Sequence, residues 1–491
     1  MHIHCRLIHL AFRFLPALLF LTMLVPRAWS AQLVWTNTAG GNWSAAANWE
    51  PNVVPAAADT AVITNAGTYT VTSSATVTIT GLTLGDTNAT GSPKLLITAG
   101  AFTVTNTSVA SNGVILLSAG TVTTAGPATI GGTFSQANGT LQLNTTASIN
   151  NYNLTNGELR GANCTITNFN WIGGALNADA LGNVTTIPVG GTLTISGATA
   201  KGMSYYVAPG RTLNNNGTAT WSGAGISAQD RATINNNGTL TLNGDFAYAW
   251  AGAGAAPVFN NNGTLTKASG SGAFTLTSIV MNNTANGIAN ISSGSIAFSS
   301  SQFHNYGTAT ISSGTISFAS SSGTNHNTLT LGANSFADFN SGSTYTLEGA
   351  ISVPTADHLR VQGATVDLAT TNLTTPSVLI TSGQLNQNTN VVVNTINQAN
   401  GTWQLNVPVA INNYNLTNGE LRGANCVITN LNWVAGSLNS DALGNVTTIP
   451  VGGTLTISGA TTKGLSYYVA PGRTLNNNGT ATWTGGGING Q

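Results

Sequence analysis

The chain is 491 residues long and only 5% of them are charged, against about 25% in an ordinary soluble protein. Thirteen basic residues balance thirteen acidic ones. That leaves too few cations for a row of nucleic-acid phosphates and too little Glu, Lys and Arg for a coiled coil or helical bundle. A hydrophobic share of 41% still supplies a core, so low charge does not signal disorder.

Residues 1–30 differ from everything that follows. Arg6 and Arg13 precede an apolar run from Leu15 to Val25, and Ala28-Trp29-Ser30 offers small residues at a cleavage site. This is the three-part pattern of a secretory signal peptide. The run is too short to cross a hydrocarbon core of about 30 Å. The mature chain is therefore expected to be secreted or held at the cell surface. It keeps two cysteines, Cys164 and Cys426, and it has 10 basic and 13 acidic residues once Arg6, Arg13 and Arg27 are gone. No later stretch is apolar for long enough to span a membrane as a helix.

Residues 31–86 form a distinct N-terminal module. Trp35, Gly41, Trp43, Asn48, Trp49, Pro55, Asp59 and Ile63 punctuate the run WTNTAGGNWSAAANWEPNVVPAAADTAVI. This segment resembles the opening of large secreted bacterial β-helix proteins of the autotransporter-passenger and haemagglutinin-like adhesin type. The resemblance covers under a tenth of the chain, and it implies an exported, surface-associated rod. A solenoid's first turn exposes an apolar end and strand edges. Trp43 and Trp49 are expected to cover that end, and Asn48 and Asp59 to tie down turn backbone. The competing reading is that these tryptophans stack on sugar rings.

Residues 87–491 read as a β-solenoid built on two nested repeats. The segment 136–229 matches 398–491 at an offset of 262, and from residue 151 onward only 12 of 79 positions differ. Within it lies a shorter period: ANISSGSIAFSS at 289–300 returns as ATISSGTISFAS at 309–320. Runs such as Thr192-Leu193-Thr194-Ile195 and Thr239-Leu240-Thr241-Leu242 alternate polar and apolar residues, which is strand spacing. Short strands, Gly and Asn turns and a period of about 20 residues predict an all-β chain, a right-handed parallel β-helix. Ile291, Ile311, Phe298 and Phe318 should point inward. Asn216, Asn237 and Asn262 should stack as an amide ladder. At about 20 residues per turn the mature chain would make about 23 turns, each rising about 4.8 Å. Cys164 and Cys426 would then lie about 62 Å apart, far beyond disulfide reach.

Chemistry-bearing residues are sparse. Asp338 and Asp357 are 19 residues apart, as are Glu348 and Asp367, so each pair could stack on neighbouring turns beside His358 and Arg360. A β-helix lyase or hydrolase would need such clustered carboxylates. His304 and His326 lie 22 apart and form at best a weak metal or catalytic pair. There is no Gly-x-Ser-x-Gly elbow, phosphate loop or Gly-Gly-x-Gly-x-Asp calcium repeat, so no catalytic residue, metal or cofactor is assigned. The best binding candidate is duplicated: Lys201, Tyr205, Tyr206 and Arg211 recur as Lys463, Tyr467, Tyr468 and Arg473. Aromatic faces beside cations suit sugar or protein contact. The plainer alternative is a bulged loop whose rings cover the core.

These readings favour a non-enzymatic exported surface rod, an adhesin or structural passenger. Its partners would be extracellular polysaccharide or a host or neighbouring cell surface. A carbohydrate-active enzyme on a β-helix is the alternative. Thr-x-Thr strands also suggest an ice-binding solenoid, but that needs a regular threonine array. The Asn-Gly-Thr and Tyr-Gly-Thr markers, at Gly217, Gly238, Gly263 and Gly307, are spaced 21, 25 and 44 residues apart. Finally, Gln491 aligns with Gln229 in mid-repeat, so the natural chain is expected to continue with turns like residues 230–360 and to end in an anchor or translocator.

Overall fold

The computed structural model describes residues 30–179, 182–204, 208–441, 444–465 and 470–490. The expected signal peptide lies outside them except for its last residue. The described chain is a parallel β-solenoid of about 20 turns with about 21 residues each. The only helical element among the described residues is one 3-10 turn, Ala46–Asn48. No described helix is long and apolar enough to cross a membrane.

Turns contribute three short strands or, where two run together as in Thr308–Ala319, two. One turn supplies Thr212–Asn215, Thr218–Trp221 and Ile226–Ala228. The next supplies Thr233–Asn236, Thr239–Asn243 and Ala247–Trp250. Counterparts pair in parallel register: Leu213 lies opposite Ile234, Ala219 opposite Leu240 and Ile226 opposite Tyr248. Alternation inside each strand sends apolar residues inward and Thr, Asn or Ser outward, because successive side chains leave a strand on opposite faces.

The inward residues stack into continuous columns. Ile291, Ile311, Phe298 and Phe318 are all buried, as expected. Phe298 stacks on Phe318 at 5.1 Å, and Phe318 on Phe339 at 5.3 Å, with rings nearly parallel. Full burial of one such ring contributes roughly 1.5–3 kcal/mol. At one corner Gly120, Gly139, Gly157 and Gly174 stack with positive φ, and a Cβ on Gly139 would strike the carbonyl oxygen of Gly120. Only glycine lets successive turns approach that closely.

The turn count is lower than the expected 23. Each turn takes about 21 residues, and the N-terminal segment adds an antiparallel strand in place of a stacked one: Trp49–Glu50 pairs with Val34 and Trp35. Trp35, Trp43 and Trp49 are buried there, with edge-on contacts at 5.1 Å between Trp35 and Trp49 and 4.8 Å between Trp43 and Trp49. Their rings are therefore closed to a sugar. Asn48 donates to the Asn42 carbonyl, and Asp59 accepts from the backbone of Ala31 and Ala56, so both fix turn backbone as expected. Cys164 and Cys426 are free and buried.

Candidate functional site

The duplicated Lys–Tyr–Arg loops do not place their cations at the surface. Lys201 is buried and donates to the Thr199 carbonyl at 3.0 Å. Lys463 is buried too and donates to the carbonyls of Gly459 and Thr461. Arg211 is fully buried: it donates to Gly161 O and Asn177 O at 2.9 Å, to Ala162 O at 3.1 Å and to Thr185 Oγ1 at 2.7 Å. Arg473 repeats the pattern on Gly423, Asn439, Ala424 and Thr447. The guanidinium fork gathers carbonyls left over where the solenoid wall bends, a task its five donors suit. Tyr205, Tyr206, Tyr467 and Tyr468 lie outside the described residues.

The acidic candidates are also redistributed. The register sets Asp338 opposite Arg360 and Thr346 opposite Asp367. A 19-residue spacing is therefore not one turn here, and neither expected carboxylate pair stacks. Asp338 receives Arg360 in a two-pronged contact, Nε at 2.5 Å and Nη2 at 2.6 Å. Arg360 also lies 4.0 Å from the Phe336 ring centroid. Glu348 meets His326 at 2.8 Å, Asp357 accepts from Ser377 and Asn397, and Asp367 accepts from Asn386. His304 and His326 do lie on adjacent turns, with Tyr306 stacked on His326 at 4.4 Å. Burial, then the neighbouring His326, pulls the His304 imidazole below its usual range. The rings of His304, Tyr306 and His326 lie roughly parallel, at 9–30° to one another.

What dominates the outer surface is registered amides and hydroxyls. Asn216, Asn237 and Asn262 form the expected ladder, at 2.7 and 2.6 Å. A second, outward ladder joins Asn214, Asn235, Asn260 and Asn282. A third lies inside the rod: Asn215, Asn236, Asn261, Asn283, Asn305 and Asn325 are linked at 2.7–2.8 Å. The inner amides donate down the chain and the outer ones donate up it, so their dipoles oppose. The internal ladder was not anticipated, although the Asn-Asn-Asn-Gly triplets carried its signal.

The strands beside these ladders hold two outward threonine columns. Thr192, Thr218, Thr239 and Thr264 are in register, then Ile288, Thr308 and Thr328. Thr194, Thr220, Thr241 and Thr266 run alongside, then Asn290, Thr310 and Thr330. The 44-residue gap that argued against a regular array contains a turn in which Ile288 follows Gly287 where the marker has threonine. Variable corner lengths take up the other differences. Comparisons with family models, with curated proteins and with solved structures find no match to this chain.

Proposed function

We propose that this chain is a non-enzymatic exported surface rod, an adhesin or structural passenger that acts through its long outer faces. The observation that carries this reading is how the ionisable side chains are used. Arg211 and Lys201 serve backbone carbonyls inside the wall, and Asp338 is neutralised by Arg360. The outer faces are left with columns of uncharged Thr and Asn. The outward asparagine ladders offer registered, uncharged hydrogen-bonding groups to a repetitive, uncharged partner such as the polysaccharide of a cell surface. Export is supported by the pattern of residues 1–30, and a passenger role by the resemblance of residues 35–63. The same N-terminal module serves as the end cover in this reading, with its buried tryptophans and antiparallel strand closing the first turn.

Expression of the full chain in a Gram-negative host, with fractionation and surface proteolysis, tests the proposal. The rod should appear outside the inner membrane, and binding to whole cells or cell-surface glycans should saturate. Retention in the cytoplasm would contradict it. So would release of reducing or unsaturated sugars that disappears in Asp357→Ala or Asp367→Ala, which would favour the carbohydrate-active alternative.

A further inference from the structure

We propose that the double threonine column is an ice-binding face, whose ligand is the ordered water lattice of an ice surface. Seven successive turns present fourteen outward positions in two columns, and twelve of them are threonine. All fourteen side chains are exposed or half-buried. The two exceptions, Ile288 and Asn290, share one turn. Ile288 keeps the β-branch and its methyl, and Asn290 keeps a hydrogen-bonding group.

The geometry is that of a two-dimensional lattice. Neighbouring turns repeat at about 4.8 Å, and residues two apart on one strand lie about 6.6 Å from each other. The repeat between turns is close to the shorter oxygen spacing on a prism face of hexagonal ice, and the repeat along a strand is somewhat shorter than the longer one. Seven turns extend the array for about 29 Å along the axis. Threonine is stiff about χ1, so hydroxyls and methyls are held in place before any ligand arrives. The hydroxyls are also little used by the protein. Among the described residues, Thr192 donates to Asn168 Oδ1 at 3.0 Å and Thr328 to Asn327 Oδ1 at 3.2 Å, and no side-chain partner occupies the hydroxyls of the other ten threonines.

Other ligands fit this face less well. None of the fourteen positions is aromatic, so the platform on which a sugar ring would stack is missing. None is charged, so an ionic polymer gains nothing. Thr218–Trp221 pairs with Thr192–Ile195 on one side and Thr239–Asn243 on the other, so an extended peptide finds no open strand edge there. A rigid array of alternating methyls and hydroxyls is left, and a lattice of water matches it. This inference does not rest on export or attachment to a cell.

The test uses the purified full chain. Its incorporation into slowly growing ice and its inhibition of ice recrystallisation are compared with a size-matched control protein. The chain should enter the ice and arrest recrystallisation. Thr220→Tyr/Thr241→Tyr, which plants two rings in adjacent turns of one column, should lose both activities. Thr275→Tyr, on a different face, should keep them. Circular dichroism confirms folding. If the double variant loses its β spectrum, Thr310→Tyr in the same column replaces it, with the same loss expected. Exclusion of the wild-type chain from ice would overturn the inference, as would equal losses in the threonine-face and Thr275 variants. Either result would leave the exported-rod reading standing, and failure of surface display would leave the ice face standing.

Discussion

Arg211 and Cys164, 47 residues apart in sequence, meet inside the rod with the guanidinium 3.4 Å from the thiol sulfur. Arg473 and Cys426 repeat that contact at the same distance. The Cys164 thiol also lies 3.5 Å from Thr185 Oγ1, the hydroxyl that accepts from Arg211 Nε. Each long repeat thus carries its own polar lock, which ties three backbone carbonyls from two corners to one side chain.

Removing that lock should be costly. Arg211→Ala removes the donors that serve the carbonyls of Gly161, Ala162 and Asn177 in the wall, and a destabilisation of about 3–5 kcal/mol is expected. Hydrogen exchange should show it as faster opening of residues 158–187, with residues 420–449 unchanged because the second copy keeps Arg473. Equal protection of both copies in the variant would contradict the assignment.

The two kinds of asparagine ladder should respond differently. Asn261→Ala interrupts the buried ladder: the Asn236 amide keeps only the Thr264 carbonyl, and the Asn283 oxygen loses the donor that Asn261 supplied. A cost of about 2–3 kcal/mol is expected. Asn262→Ala removes a rung of the ladder at the turn, where water takes over the lost bonds, and should cost under about 1 kcal/mol. Denaturant melts of the two variants check the order, and a larger loss from Asn262→Ala would refute it.

Acid should loosen the turns around His304. Burial and His326 hold its ring below the usual range. The folded form therefore binds fewer protons than the unfolded chain near the unfolded histidine value of about 6.5. Stability then rises with pH through that window and is lost as pH falls through it. His304→Asn should flatten this dependence. It also places an amide opposite Asn282, the last member of the outward ladder, so the variant should be no less stable at neutral pH. Melting temperatures at pH 5 and pH 8 are the readout. An unchanged slope would count against the burial argument.

The aromatic column sets a further expectation. Phe318 packs between Phe298 and Phe339 in the rod's interior. Phe318→Ala should cost about 3–5 kcal/mol through lost burial and the remaining cavity. A loss under 1 kcal/mol would mean that the stack is not well packed.

Period and alternation made the solenoid and its inward columns legible in the sequence. Ile291, Ile311, Phe298 and Phe318 follow directly from an offset of 20 between two near-identical segments. The outer amide ladder at Asn216, Asn237 and Asn262 was equally readable. Register was not. The true step between Asp338 and Arg360 is 22 residues, and corners of unequal length hide that step from any fixed spacing. The same irregularity broke the threonine array apart on paper, although the strands themselves align it. Arg211 was misplaced for another reason. A cation beside tyrosines reads as surface chemistry, and only the path of the wall reveals the carbonyls it serves. The internal ladder was missed because three consecutive asparagines look like turn composition, whereas alternation points the middle one inward.

Both the rod and its ice face depend on one register, in which Thr220 and Thr330 occupy a single column five turns apart. Paired spin labels measure this directly, with one pair at Thr220 and Thr266 and the other at Thr220 and Thr330. At about 4.8 Å per turn, the backbone separations should be about 10 Å and about 24 Å, each with a narrow distribution. Distances that fail to grow in proportion to the number of turns, or a broad distribution for the longer pair, would contradict the account.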